Sequence, residues 1–358
     1  MPKPPERIYL KFNYPGAVPG SKTLLTGIRG IGEILYITGF YEPPTGSTVS
    51  FLYKGDITGN VDLCSYPRNF YNILNYPSSP GVTVVATNLY GPDILCYERD
   101  IVRVVGNYTT QETGMSTIGC MYEGPLDGSG TWTTLTPTDD TLNTIAHSTS
   151  GGLVVGNYDT QVNQSKAFIY DVTTGVYYNI EKPQALSITA YGIWFNDRGQ
   201  CNDGGHDREN NKEWYTICGG YSNVDPASGI DAGYLVDWNN KTHELVNWRN
   251  YQYENNNIRA LITHFDGITS DECGGYNLTG DAVVVTDPSN PSGEEIGFFA
   301  NIKRHSDWKF TDAQWEEIKY PGSNSTSGNS VYQDTVIGVY TTTSSVEGTV
   351  NGYISLVI

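Results

Sequence analysis

The chain has 358 residues and a formal net charge of −18, from 39 acidic and 21 basic side chains. Because a nucleic-acid-binding protein needs a basic surface to displace counterions, this balance argues against a nucleic-acid partner. No run of about 18 apolar residues occurs, so we expect no membrane-spanning segment. The 40 glycines and 27 tyrosines favour strands and turns over helices.

A short Gly-x-Tyr element recurs six times along the chain. The copies lie at Thr38–Tyr41, Val105–Tyr108, Val155–Tyr158, Cys218–Tyr221, Cys273–Tyr276 and Ile337–Tyr340. Their period is about sixty residues, and each unit contains four short β-rich segments separated by Gly, Pro, Asn and Asp. Radial repetition of four-stranded sheets has this signature, so we predict an all-β fold, a six-bladed β-propeller.

The predicted blades form a single domain over residues 1–358. Their ranges are 17–77, 78–137, 138–183, 184–250, 251–321, and 322–358 together with 8–16. The sixth unit ends after its third segment, and residues 8–16 resemble the missing fourth segment. We therefore expect the N-terminal strand to complete the last blade, which protects the sheet edges.

The first unit resembles a known repeat family. The similarity rests on Tyr14-Pro15-Gly16, Thr26-Gly27-Ile28, Thr38–Tyr41 and Phe51-Leu52-Tyr53, and it weakens in units four and five, where 195–213 and 281–296 interrupt the pattern. This order resembles the HAF-type "extracellular repeat" family, whose repeats form β-propellers. The resemblance implies the fold, and the family's name suggests an extracellular structural or interaction module. Function has to be argued from a site.

The first strand of each unit is expected to surround the propeller axis. We align these strands on one aliphatic residue each, namely Ile28, Leu89, Ile145, Ile193, Ile268 and Val331. Neighbouring positions carry the candidate catalytic residues Arg29, His147, His264 and Asp266, and the candidate substrate-binding residues Tyr90, Tyr191, Trp194 and Tyr332. These side chains differ from blade to blade, so they predict one asymmetric central site rather than six equivalent ones.

Each candidate has a chemical role and a structural alternative. Arg29 suits a carboxylate or phosphate, or developing negative charge, but could equally bridge to a neighbouring carboxylate. The histidines titrate near neutral pH and could transfer protons, with Asp266 as orienting group or base, whereas His264 could instead be a hydrogen-bonded core residue. The aromatic residues could stack on a ligand or pack between blades.

A weak metal candidate lies in the insertion of unit four. Asp197, Asp203, Asp207 and Glu209 could bind a structural calcium ion, although the spacing fits no EF-hand and a solvated turn is the simpler interpretation. No other cofactor is expected. Cys218 and Cys273 precede Gly-Gly-Tyr in adjacent units, so we expect buried free thiols between blades rather than a disulfide.

Three functions stay open on the sequence. The first is a cofactor-independent lyase, isomerase, cyclase or hydrolase that acts on a small molecule in the central cavity by acid–base or electrostatic catalysis. The second is a lectin-like carbohydrate-binding protein, and the third is an extracellular structural or interaction module. We expect a monomer with a small-molecule or carbohydrate ligand. The sequence leaves open whether it is a secreted mature form or a cytoplasmic protein.

Overall fold

The protein is described by a computed structural model that covers residues 6–57, 69–112, 116–161, 164–196, 213–223, 231–255, 258–285, 293–342 and 350–357. Strands dominate these residues, and the single helical element is a 3₁₀ turn at Tyr97–Arg99. None of the described elements is a helix long and apolar enough to cross a membrane. Six antiparallel sheets form the six blades, so the predicted all-β propeller is confirmed.

Blades 1 to 3 each contain four strands in chain order. Blade 1 consists of β2 (Lys22–Ile31), β3 (Ile34–Glu42), β4 (Val49–Gly55) and β5 (Phe70–Ile73). Blade 2 consists of β6 (Val84–Cys96), β7 (Ile101–Thr110), β8 (Ile118–Pro125) and β9 (Thr131–Leu135). Blade 3 consists of β10 (Asn143–Ser150), β11 (Leu153–Gln161), β12 (Gln164–Asp171) and β13 (Val176–Ile180).

Blades 4 to 6 follow the same plan with small additions. Blade 4 consists of β14 (Ala185–Phe195), β15 (Trp214–Asn223), β16 (Ala232–Asn239) and β17 (Glu244–Tyr251). Blade 5 consists of β18 (Glu254–Asn255), β19 (Ile258–Ser270), β20 (Gly275–Val284), β21 (Glu294–Arg304) and β22 (Phe310–Ile318). Blade 6 consists of β23 (Ser325–Thr326), β24 (Ser330–Tyr332), β25 (Thr335–Thr341), β26 (Val350–Val357) and the N-terminal β1 (Arg7–Lys11).

The predicted closure by the N-terminal strand is confirmed. Strand β1 pairs antiparallel with β26, from Arg7 opposite Val357 to Lys11 opposite Tyr353. The Arg7 side chain reaches blade 5, where its Nε donates to Glu316 Oε1 at 2.7 Å. The two ends of the chain therefore lie in one sheet, and β1 covers the edge that β26 would otherwise expose.

One glycine in the second strand of every blade lies against a first-strand carbonyl oxygen, where a Cβ atom would collide with it. These glycines are Gly39, Gly106, Gly156, Gly219, Gly280 and Gly338. Five of these glycines belong to the predicted Gly-x-Tyr copies. The copy predicted for blade 5, Cys273–Tyr276, is wrong, because its glycine does not occupy this position. Gly274 lies in a turn with φ +81°, and Cys273 is exposed rather than buried between blades. The blade 5 equivalent is Gly280-Asp281-Ala282. Cys218 is a buried free thiol, as expected.

The first strands of blades 1 to 5 contain a β-bulge, which lets one or two residues leave the regular pairing. The residue before the bulge lies opposite the glycine that the blades repeat: Leu25 in blade 1, Leu89 in blade 2 and Ala146 in blade 3. Our sequence alignment is therefore wrong in blades 2 and 3, where Leu89 and Ile145 lie three and four residues too early. The structural equivalents of Arg29 are Asp93 and Ser150.

Candidate functional site

Five bulge residues and one residue in the corresponding place of blade 6 form a ring around the propeller axis. The bulge residues are Thr26, Tyr90, His147, Tyr191 and Asp266, and the blade 6 residue is Asn329. Each is partly exposed, whereas the residues on both sides of it in sequence are buried. The ring therefore lines an axial channel that solvent reaches. We call the end of the propeller at which the first strands begin the mouth.

One side of the ring is an aromatic wall. The His147 ring lies 5.1 Å from that of Tyr90 and 4.6 Å from that of Tyr191, edge-on to both. Its Nε2–H donates to Asn157 Oδ1 at 2.7 Å. Burial lowers the pKa of His147 to about 4, against the opposing effect of Asn157. His147 is therefore neutral at physiological pH and presents a flat, largely apolar surface with its two tyrosine neighbours.

The other side of the ring is polar and bonded between blades. Asn329 Nδ2 donates to the carbonyl oxygen of Leu25 at 2.7 Å, and Thr26 Oγ1 donates to that of Leu89 at 2.6 Å. These bonds fix blade 6 to blade 1 and blade 1 to blade 2. The ring thus places hydrogen-bonding groups opposite an aromatic surface, which is a common arrangement in small-molecule sites.

Between the two walls lies a cluster of three titratable groups from blade 5. His264 Nε2 is 3.3 Å from Asp266 Oδ2 and 4.0 Å from Asp281 Oδ2. The three ligand-type atoms all lie within 4.8 Å of one another. Asp281 Oδ1 accepts the Gly328 N–H at 3.0 Å, which holds this carboxyl group against blade 6. The His264 ring also contacts Tyr191, at 5.6 Å between centroids, and so joins the aromatic wall.

The local sequence explains how His264 fits into this cluster. A Cβ on Gly220 of blade 4 would lie 2.8 Å from the His264 Cβ. Glycine at this position therefore leaves the room that the imidazole of the next blade occupies. Asp266 is placed by the bulge of β19, and Asp281 follows the close-packed Gly280 in β20.

Electrostatics in the cluster favour the protonated imidazole. Burial lowers the pKa of His264, but the carboxylates of Asp266 and Asp281 more than offset this and raise it to about 9. Burial, and then the charge of Asp266, raise the pKa of Asp281 well above its usual range. At neutral pH the cluster therefore pairs an imidazolium proton donor with the partly exposed carboxylate of Asp266.

The same three groups are the one imidazole–carboxylate set with metal-ligand spacing in the described part of the chain. In this structure His264 Nε2 faces the carboxyl oxygens of Asp266 and Asp281, so the three groups interact with one another directly. The weak calcium candidates Asp197, Asp203, Asp207 and Glu209 lie outside the described residues.

Farther from the mouth, a closing layer formed by Arg29, Trp194 and Tyr332 ends the channel, and the first two of these side chains are buried. Arg29 is 5% exposed and crosses the axis, where Nη2 donates to the carbonyl oxygen of Ile193 at 3.1 Å and Nη1 to that of Ile28 at 3.1 Å. Its guanidinium lies 5.5 Å from the Trp194 ring, and its charge lowers the otherwise burial-raised pKa of Tyr332. Arg29 thus links blades 1 and 4 across the centre.

The structure therefore separates the eight predicted site residues into two layers. Five surround the part of the channel that solvent reaches: Tyr90, His147, Tyr191, His264 and Asp266. Arg29, Trp194 and Tyr332 belong to the closing layer. Sequence reasoning missed Asp281. It follows Gly280, so an alignment on glycine packing rather than on Gly-x-Tyr would have found it.

No protein-family model and no curated protein matches the chain, so the HAF-type resemblance stays a prediction. Among solved structures, the chain is similar to a thermostable family-43 glycoside hydrolase, with a TM-score of 0.44, 9% identity and coverage of 87% of this chain and 98% of that one. It is also similar to an ulvan polysaccharide lyase, with a TM-score of 0.39, 9% identity and coverage of 87% and 78%. Aleuria aurantia lectin gives a TM-score of 0.39, 10% identity and coverage of 91% and 90%. These likenesses concern the general propeller architecture alone.

Proposed function

We propose that this propeller is a cofactor-independent enzyme that acts on one small hydroxylated molecule in the axial channel by acid–base catalysis. The observation that carries the proposal is the cluster of His264, Asp266 and Asp281, three proton-transfer groups within 4.8 Å of one another in a channel that solvent reaches. Groups arranged to shift one another's pKa values in a cleft are typical of active sites.

The cluster occurs once in six blades. The counterparts of His264 in the other blades are Leu24, Asn88, Ile145, Thr189 and Ser327, and those of Asp281 are Phe40, Asn107, Asn157, Gly220 and Val339. None of these side chains titrates near neutral pH. The channel therefore contains one asymmetric site, which fits a single substrate better than repeated binding of one sugar.

The geometry suits paired proton transfer. The Asp266 carboxylate accepts a proton from a substrate carbon or hydroxyl group, while the imidazolium of His264 donates one to the leaving or receiving oxygen. Asp266 favours the charged form of His264. Asp281, through its bond to Gly328, holds the cluster in position. The substrate lies against Tyr90, His147 and Tyr191. Elimination, isomerisation, cyclisation and hydrolysis all need a proton acceptor and a proton donor placed beside the substrate in this way.

A turnover assay on substrates found by soaking crystals with mixed metabolites and sugars tests the proposal. We expect density for one molecule per chain beside His264 and Tyr191. Asp266→Asn and His264→Gln should each reduce kcat by about 10² or more, since general acid–base groups contribute this much. Asp307→Asn, on an exposed turn at the other end of blade 5, is the matched control. Unchanged turnover in both cluster variants would overturn the assignment.

The aromatic wall opposite Thr26 and Asn329 also suits a carbohydrate-binding protein without catalysis, which is the second candidate. In that case the ligand found by soaking would bind but remain unconverted. Binding would then persist in Asp266→Asn and be lost when Tyr191 is replaced by alanine.

A further inference from the structure

Blades 2 and 5 both carry two hydrogen-bonding side chains at the paired positions that hold His264 and Asp281 in blade 5. In blade 2 these residues are Asn88 of β6 and Asn107 of β7, which lie opposite each other. Each of the other four blades has at least one side chain at these positions that forms no hydrogen bonds. Those residues are Leu24 and Phe40 in blade 1, Ile145 in blade 3, Gly220 in blade 4 and Val339 in blade 6.

Blade 2 lies directly across the axis from blade 5, because six blades in a closed ring place every blade opposite the third one along. Asn88 is partly exposed, whereas its neighbours Thr87 and Leu89 are buried. Since alternate residues of a strand point to opposite sides, the Asn88 side chain lines the channel. An amide pair therefore faces the imidazole–carboxyl pair of blade 5 from the opposite wall.

Asn107 carries a buried hydrogen-bond acceptor that the structure leaves unused. Its side chain is 1% exposed, and no described residue donates to its Oδ1. The equivalent carboxyl group in blade 5 accepts the Gly328 N–H at 3.0 Å, and the equivalent amide oxygen in blade 3, that of Asn157, lies 2.7 Å from His147 Nε2. A buried acceptor without a donor is unfavourable, so it indicates a donor that turns to it when a ligand binds.

Asn88 is the residue placed to supply this donor. Cross-strand neighbours on one face of a sheet have Cβ atoms about 4.5–5.5 Å apart. At the same two positions of blade 5, His264 Nε2 lies 4.0 Å from Asp281 Oδ2. When the Asn88 amide donates through Nδ2 to Asn107 Oδ1, its own Oδ1 is left to accept a hydrogen bond from the channel.

We propose that Asn88 is a substrate-binding residue of the axial site and that the substrate is an uncharged monosaccharide that spans the channel from blade 5 to blade 2. A hydroxyl group at one edge of the sugar ring donates to Asn88 Oδ1, while the opposite edge lies against His264 and Asp266. Asn107 is a positioning residue that fixes the Asn88 amide. Because this assignment rests on the proposed function, the experiments below separate the two.

The walls of the channel favour a sugar over other hydroxylated molecules. Tyr90, His147 and Tyr191 form a largely apolar aromatic surface between the two polar pairs, which suits the C–H face of a sugar ring. Hydroxyl groups around the edge of the same ring extend towards both blades. Blade 2 contributes amides rather than a cation, so it provides no charge that would attract a carboxylate or phosphate group.

Calorimetric titration with neutral and acidic sugars tests the substrate class. The probes are glucose, galactose, mannose, fucose and rhamnose, together with the uronates of the first three. We expect at least one neutral sugar to bind at one site per chain of Asp266→Asn, in which turnover is slow, and at least tenfold more tightly than any of the uronates. No binding by any neutral sugar, or tighter binding of a uronate, would overturn the proposal.

Asn88→Ala tests the residue assignment. In the Asp266→Asn background it should weaken binding of that sugar at least tenfold, whereas Asn324→Ala, at an exposed asparagine of blade 6, should not. In the otherwise unaltered chain, Asn88→Ala should raise KM more than it lowers kcat, since Asn88 lies away from the reacting atoms. Sugar affinity that Asn88→Ala leaves unchanged would overturn the proposal. A sugar that binds through Asn88 but is not converted by the unaltered chain would support it and refute the enzymatic function.

Asn107→Leu distinguishes a positioning role from a structural one. It removes an acceptor that has no donor in the described structure, so Tm should stay unchanged or rise, while sugar binding weakens at least fivefold. Asn157→Leu is the matched control in blade 3, because it removes an acceptor that His147 uses and should lower Tm. A lower Tm for Asn107→Leu together with unchanged sugar affinity would show that Asn107 is structural and does not position Asn88.

Discussion

At the residue scale, the cluster in blade 5 places an imidazole with a raised pKa, that of His264, beside the carboxyl groups of Asp266 and Asp281. Asp266 and Asp281 face His264 directly, Glu295 adds a more distant negative charge, and Tyr191 packs on its other side. A raised histidine pKa links protonation to stability, because the folded state binds the proton more tightly than the unfolded chain does.

This linkage predicts a pH dependence of stability. His264 has an ordinary pKa of 6.5 and a folded-state pKa of about 9, so its stabilising effect is fully present below pH 6.5 and is lost as the pH rises towards 9. The effect is up to about 3 kcal/mol at 1.36 kcal/mol per pKa unit, and partial solvent exposure of the ring reduces it. We expect the Tm of the unaltered chain to exceed that of His264→Gln at pH 6 and the difference to shrink by pH 9.5.

Denaturation curves from pH 5.5 to 9.5 provide this measurement. His305→Gln, on the exposed turn between β21 and β22, is the control for the loss of a histidine. A difference between the unaltered chain and His264→Gln that stays constant over the whole range would show that the ion pair contributes nothing to stability.

Sequence reasoning reached this site only in part, and the reasons are physical. His264 and Asp266 could be predicted because alternate residues of a first strand face the axis. Asp281 could not, because Gly274–Tyr276 has the same residue types as the repeat but does not pack in the same way. Gly280, not Gly274, is the glycine that lies against a first-strand carbonyl oxygen in blade 5. The repeated glycine is defined by its approach to a neighbouring carbonyl group, and a three-letter motif does not record that contact.

At the element scale, the sequence predicted which strands pair better than it predicted which residues are equivalent in the first strands of different blades. The incomplete sixth unit and residues 8–16 together required the closure that β1 provides. The β-bulges, by contrast, add residues to first strands at places that no hydrophobic pattern marks. In blade 2 both Tyr90 and Gly91 leave the pairing, so an alignment on the nearest aliphatic residue slips by three positions.

The closing strand is stabilised by an aromatic cluster. Tyr9 of β1 lies 5.9 Å from Tyr320 and 6.0 Å from Tyr353, and its hydroxyl oxygen accepts the Lys319 N–H at 3.2 Å. Because Tyr9 is only partly buried, Tyr9→Ala should lower the free energy of unfolding by about 2 kcal/mol, less than the roughly 3–5 kcal/mol lost when a fully buried aromatic ring is truncated. It should also promote association through the edge of β26.

The matched variant Tyr9→Phe keeps the ring and loses one hydrogen bond, which should cost about 1 kcal/mol. Urea denaturation and light scattering after partial unfolding measure both effects. Equal losses in the two variants would place the contribution in the hydroxyl group rather than in the packing of β1.

At the scale of the whole molecule, the blades are joined at the axis as well as around the ring. Bulge residues connect neighbouring blades near the mouth, whereas the closing layer reaches across the centre. Arg29 contributes most to that layer, because its guanidinium lies between blades 1 and 4 and stacks near Trp194. The repeats of the sequence predict neighbours around a ring, but a contact across the axis depends on which single blade carries a long side chain.

The contact of Arg29 across the axis predicts a large loss of stability from one substitution at a buried position. Arg29→Met retains the aliphatic stem but leaves the buried carbonyl oxygen of Ile193 without this donor, which should cost about 2–4 kcal/mol in urea denaturation. Lys22→Met, on the same strand, removes a partly exposed ion pair with Glu42 at 2.8 Å and should cost less than about 1 kcal/mol. Because blades 1 and 4 are not neighbours, the loss should appear as one cooperative transition at lower urea. If both variants lose similarly little free energy of unfolding, the contact of Arg29 across the axis does not contribute to stability.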